Sequence, residues 1–157
     1  MCINNPEMDN RRIIESFSRY CRRCEGRCCS GIMVGLFDWE LPRTEGHRLP
    51  SAPVNGVLNI TFKKECLFLK DCMCSLSSGD RLLDCLSYPV YPKIEDGRVT
   101  GLIIHKGCPY HEEISGDAEL TGMVRRMWEE NIGRLRPEQV SEFFSGEFWD
   151  GEMLMEI

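Results

Sequence analysis

Four thiols fall within nine residues near the start of the chain, Cys21-Arg22-Arg23-Cys24-Glu25-Gly26-Arg27-Cys28-Cys29. An ordinary hydrophobic core has no use for such a run, so the segment reads as one shaped by what its sulfurs bind. Cys66, Cys74, Cys85 and Cys108 follow across the middle of the chain, where a fold can return them to the first four, and Cys2 and Cys72 complete a set of ten. A Cys-x-x-Cys step lets two thiolates chelate one ion from a tight loop, with two distant ligands completing a tetrahedron. Soft thiolates narrow the metal to zinc, iron-sulfur or copper(I) and set aside magnesium and calcium.

The competing reading is a framework of five disulfides, and the compartment decides between them. Met1-Cys2-Ile3-Asn4-Asn5-Pro6-Glu7 has neither the basic n-region nor the apolar h-region of a signal peptide. No stretch approaches the roughly 20 apolar residues of a membrane helix. The expected location is the cytoplasm, where reducing conditions disfavour structural disulfides and many thiols mean metal or redox chemistry. Adjacent Cys28 and Cys29 also resist simple pairing, and 157 residues exceed the usual disulfide scaffold. A net charge of -6 gives no bulk attraction to nucleic acid or anionic lipid, so neither nucleic acid nor membrane is an expected partner.

The length suits one domain, expected as 1–157 with a motif core over 19–110 and a helical part over 115–157. Its expected class is α+β: an N-terminal helix, short β-hairpins around a cysteine-ligated metal site, and C-terminal helices. Asn5-Pro6 reads as a helix start, with Ile13, Phe17 and Tyr20 forming a core stripe that runs into Cys21. Asp38 to Pro42 reads as a turn and a brief helix ending before the proline. Leu49 to Pro53 reads as loop, and Asn55-Gly56 as a turn into a strand over Val57 to Phe62. Glu95-Asp96-Gly97 joins a hairpin of Val90 to Ile94 and Arg98 to His105. Leu120, Val124, Met127 and Trp128 mark a helix over Asp117 to Ile132 closed by Gly133, and Pro137 opens another through Val140, Phe143 and Phe144. The apolar tail Phe148 to Met155 reads as core or self-packing.

Spacing excludes two familiar cluster loops. Cys21, Cys24 and Cys28 have gaps of two and three, the reverse of the radical S-adenosylmethionine loop, and Arg27 breaks the bacterial ferredoxin run. If Cys28 and Cys29 are extended, their thiols point apart, so both reach one ion only across a bent backbone. Two sites, or one polynuclear site, fit more easily. Cys21, Cys24, Cys28, Cys29, Cys66, Cys74, Cys85 and Cys108 provide enough ligands for two four-thiolate sites.

These residues resemble the YkgJ-like cysteine-cluster family, a zinc- or iron-chelating domain with a C-x2-C-x2/3-C-C signature. Cys21 to Cys29 resembles the signature, Cys66-Leu67-Phe68-Leu69 its C-P-F-L block, and Cys74-Ser75-Leu76 its C-S-I-Y block. Arg81-Leu82-Leu83-Asp84-Cys85-Leu86-Ser87-Tyr88-Pro89 resembles R-P-x-x-C-R-x-Y-P, and Gly107-Cys108-Pro109 the later C-P element. Leu67 and Leu82 stand where the family has proline, and Leu86 where it has arginine. If that arginine neutralises a cluster or contacts a substrate anion, the expectation here is that Arg22, Arg23 or Arg27 substitutes for it or that the contact is lacking.

The resemblance implies chelation of an iron-sulfur cluster, of the 4Fe-4S type, or of zinc through the eight cysteines, in an electron-transfer or accessory module with a protein redox or substrate partner. Flagellin lysine-N-methylases are similar in their cysteine cluster, so an iron-sulfur-dependent methyl-transfer enzyme is one alternative; a purely structural zinc domain is another. Without a Gly-rich dinucleotide loop, the non-enzymatic reading is preferred. His105, His111 and His47 are secondary candidate ligands, and a Cys/His nucleophile explains one thiol while leaving nine.

Overall fold

In the computed structural model the described residues are 6–29, 33–44, 51–54, 57–61, 66–144 and 153–157. Pro6 opens helix α1 (Pro6–Arg23), a position where its missing N–H costs nothing. Ile13, Phe17 and Tyr20 repeat at helical spacing and are all buried, so α1 is held by one apolar stripe. The stripe packs on helix α4 (Ala118–Asn131), which buries Leu120, Met123, Val124, Met127 and Trp128. Asp117 caps α4 by accepting a hydrogen bond from the Leu120 N–H at 3.1 Å. Arg19 pairs with Asp117, Arg12 with Glu119 at 2.7 Å and Arg23 with Glu113 at 2.8 Å. Such exposed pairs add little energy but fix how α1 lies along its neighbours.

Gly133 does not stop α4 by turning left-handed. Instead the chain tightens into a 3-10 turn over Ile132–Arg134 that runs through the glycine. The short helices α2 (Leu83–Ser87) and α3 (His111–Ser115) carry too few residues to show a period, and helix α5 (Pro137–Phe144) begins at its proline as expected.

Strands β1 (Met33–Leu36), β2 (Ser51–Val54) and β3 (Val57–Thr61) form an antiparallel sheet in the order β1-β3-β2. The expected loop at Ser51 to Pro53 is therefore an edge strand, where a proline without an N–H is tolerated. Asn55-Gly56, the expected turn, lies outside the described residues, between strands that pair Val54 with Val57. Strands β4 (Leu69–Lys70) and β5 (Met73–Cys74) make a small hairpin. Strands β6 (Val90–Glu95), β7 (Arg98–His105) and β8 (Leu154–Glu156) make a second sheet in that order. The β6–β7 turn follows expectation, with Asp96 and Gly97 both at positive φ. β8 was hidden in the sequence because three residues cannot display alternation. The chain is thus α+β, with α4 backing β6 and β7 and α2 set against β1. Among the described residues no helix is long and apolar enough to cross a membrane.

Two buried acids fasten α2 to its neighbours. The 3-10 segment Asp38–Thr44 continues through Pro42, beyond the expected stop, and carries Glu40 inward. Glu40 accepts from the N–H groups of Phe37 at 3.1 Å and Leu83 at 2.6 Å, with Arg43 at 3.4 Å. Asp84 accepts from the Gly35 N–H at 2.7 Å and the Tyr91 hydroxyl at 2.6 Å. Truncating Glu40→Ala strands two buried donors and should lower stability by about 3 kcal/mol in a denaturant titration. Burial pushes the Glu40 carboxyl up to about 7 against the pull of Leu83, Phe37 and Arg43, while Asp84 adds to the rise. The folded state therefore favours its neutral form, and that contribution is full below the ordinary value of 4.5 and lost as pH rises through about 7. Titrations at pH 5, 6 and 7.5 should show a shallower fall for Glu40→Gln than for the native chain.

Candidate metal centre

Cys21 sits in the last turn of α1, and the chain then reverses through a loop that its own backbone ties together. Cys24 N–H donates to Tyr20 C=O at 3.0 Å, Gly26 to Cys21 at 3.2 Å, Arg27 to Cys24 at 3.2 Å and Cys29 to Gly26 at 2.8 Å. Glu25 and Gly26 both take positive φ. Gly26, at φ of 68°, holds the left-handed backbone that favours glycine, and a Cβ there would press on Leu69 Cδ1 at 2.9 Å in the β4–β5 hairpin. Arg27–Cys29 is a 3-10 turn, so the backbone at Cys28-Cys29 is bent where an extended one would hold the thiols apart. The Cys28 and Cys29 side chains share a hydrogen bond.

The mid-chain cysteines return to this loop by three routes. Cys66 N–H donates to Cys29 C=O at 2.8 Å, joining the two segments directly. Cys74 lies on β5, opposite Leu69, and its carbonyl accepts from Arg81 Nη2 at 3.2 Å. Cys85 rides on α2, the helix that Glu40 and Asp84 anchor. Cys108 follows β7 in a turn closed by its own N–H on His105 C=O at 3.2 Å.

A cavity of about 370 Å³ has Cys21, Cys28, Cys29, Cys66, Cys74 and Cys85 in its wall. A second, of about 270 Å³, is walled in part by Cys21, Cys24, Cys28 and Cys108. Each of the eight cysteines singled out by sequence thus faces one or both cavities. Cys72 also borders the larger one, from the β4–β5 turn, where it holds φ of 63°. Cys2 and His47 lie outside the described residues. The nine described cysteines are free, without disulfides. Among the described residues no three His, Cys, Asp or Glu side chains are yet gathered as a metal-holding group. The sulfurs border shared space without closing on a common point.

Enclosure and mutual charge set the acidity of these thiols. Burial pushes Cys21 up to about 11, helped by Cys24 and Cys29. Burial likewise raises Cys66 and Cys108. Cys85 opens onto the cavity, but the surrounding protein raises its thiol well above the ordinary value, and the charges of Asp84, Cys74, Cys66 and Cys29 add to the effect. Cys29 differs: the hydrogen bond from Cys28 lowers it to about 7, aided by Arg81 and opposed by burial, and the same bond raises Cys28.

Arg81 is a cation at the larger cavity. Its Nε is buried without a hydrogen-bond partner, and its charge favours the thiolates of Cys21 and Cys29. Of the expected substitutes, Arg27 borders the smaller cavity with Cys21, Cys24, Cys28 and Cys108, Arg23 is engaged with Glu113 and with the Tyr110 ring, whose centroid is 4.2 Å from Cζ, and Arg22 is exposed. Arg81 opens the Arg81-to-Pro89 block, and that position was the available clue. The histidines serve the Cys108 turn: His105 Nδ1 accepts from Gly107 N–H at 3.1 Å, and His111 Nδ1 pairs with Cys108 C=O at 2.9 Å.

Compared with known proteins, the chain matches no family model, no curated protein and no solved structure. In the metal-free, reduced chain, brief iodoacetamide treatment at pH 7.5 followed by peptide mapping should label Cys29 well ahead of Cys21, because the thiolate is the nucleophile. Equal labelling of the two would contradict the electrostatics described here.

Proposed function

We propose that this protein chelates an iron-sulfur cluster or zinc through Cys21, Cys24, Cys28, Cys29, Cys66, Cys74, Cys85 and Cys108, as an electron-transfer or accessory module of the cytoplasm. One observation carries the reading: helix α1, the loop after it, β5, α2 and the turn after β7, distant in sequence, all turn cysteines onto two adjoining cavities. The donor chemistry fits. Several buried thiols whose charges repel can ionise together only beside a cation, and a soft metal supplies it while displacing their protons. Arg81 offsets the excess negative charge of a thiolate-bound centre and leaves an Nε–H to donate toward it. When bound, a cluster would supply one-electron chemistry and zinc would supply rigidity.

The larger cavity favours the cluster. Its volume of about 370 Å³ far exceeds the ~30 Å³ share of one water, a room that suits a polynuclear group better than one ion. The resemblance of Cys21 to Cys29 and of the later cysteine blocks to the YkgJ-like pattern supports the same reading. Anaerobic purification followed by iron, zinc and acid-labile sulfide analysis tests it. Iron with matching sulfide, bleached on reduction, is the expected result; zinc without sulfide would select the structural form. A chain that carries no metal and whose thiols all alkylate freely would falsify the proposal.

A further inference from the structure

The two cavities divide the cysteines. The smaller is bordered by Cys21, Cys24, Cys28 and Cys108, from the end of α1, the loop after it and the turn after β7. Cys21 and Cys28 also border the larger; its remaining cysteines are Cys29, Cys66, Cys74 and Cys85, beside Cys72. We infer that the chain holds two separate four-thiolate centres, one of Cys21, Cys24, Cys28 and Cys108 and the other of Cys29, Cys66, Cys74 and Cys85. The inference rests on the chelation reading above and adds membership and number to it.

Two further observations agree with this division. Hydrogen bonds follow it: Cys24 Sγ–H donates to Cys21 C=O at 3.5 Å, while Cys66 N–H donates to Cys29 C=O at 2.8 Å. A 3-10 turn advances one-third of a circle per residue, so adjacent Cys28 and Cys29 can serve neighbouring centres from one peptide.

Four thiolates saturate a tetrahedral ion or a cubane cluster, so neither centre keeps an open position for substrate. Cys72 remains outside both sets. It occupies the second central position of a two-residue turn, following Asp71 at φ of 49°, where glycine is favoured; Cys72→Gly is therefore the suitable control.

The test measures iron, zinc and sulfide per chain, purified anaerobically, in the native protein and in Cys24→Ser, Cys85→Ser and Cys72→Gly. The expected native content is two zinc ions or two clusters. Cys24→Ser and Cys85→Ser should each halve it, and Cys72→Gly should leave it whole. A native content of one centre, or loss of all metal in both serine variants while circular dichroism shows them folded, overturns the division and leaves chelation standing. Should either serine variant fail to fold, the native stoichiometry decides between two centres and one. Absence of metal from the native chain overturns the chelation reading itself.

Discussion

The dominant constraint in this structure is the cost of enclosing many ionisable sulfurs together. One buried thiol is inert and stays protonated. A group of them resists ionisation collectively, because each thiolate formed raises the next, as Cys74, Cys66 and Cys29 do to Cys85. The fold accommodates this by lining cavities with thiols and by placing one guanidinium, that of Arg81, beside Cys29 and Cys21. Cys29 is drawn down to about 7 by taking a hydrogen bond from its own neighbour, Cys28. A soft cation bound as proposed would relieve the same repulsion and would tie together the short elements around residues 66–82.

Everything else in the fold serves to bring those sulfurs back to α1. The apolar contact between α1 and α4 fixes the helix whose end bears Cys21, and α4 also backs the β6–β7 hairpin that delivers Cys108. On the other side α2 has only five residues, too short to be stable alone. Glu40 and Asp84 compensate by giving it polar attachments to the Phe37 and Gly35 backbones and to Tyr91. Two buried carboxyls are an expensive fastening, and their raised proton affinity shows the strain of their enclosure. They act together with the apolar anchors of α2, Leu83 and Leu86, which are both buried in the main core.

Sequence reading succeeded where periodicity or turn chemistry was strong. Ile13, Phe17 and Tyr20 announced α1, the Asp96-Gly97 turn announced β6 and β7, and cysteine spacing nominated residues that the fold brings to common cavities. It failed for short elements defined by tertiary pairing. β4, β5 and β8 have two or three residues each, and β2 carries a proline that reads as loop until its edge position is known. The charge partner was missed for a similar reason. Arg22, Arg23 and Arg27 are close to the thiols along the chain, and Arg27 does border the smaller cavity, but Arg81, at the larger one, is close only in space.

The division of the thiols also bears on what the protein can do. A catalytic metal keeps one position open, whereas a structural or electron-transfer centre is closed by its own ligands. Leu86 on α2 is buried and borders the larger cavity with an apolar side chain. The wall of the larger cavity also carries apolar Ile13, Phe17, Phe68 and Leu82 beside the sulfurs. Such side chains lower the local dielectric and would shield a thiolate-bound group from water. Ser18, Arg81, Tyr88 and His105 border the same space, so the lining sets polar groups within an apolar shell next to the thiols.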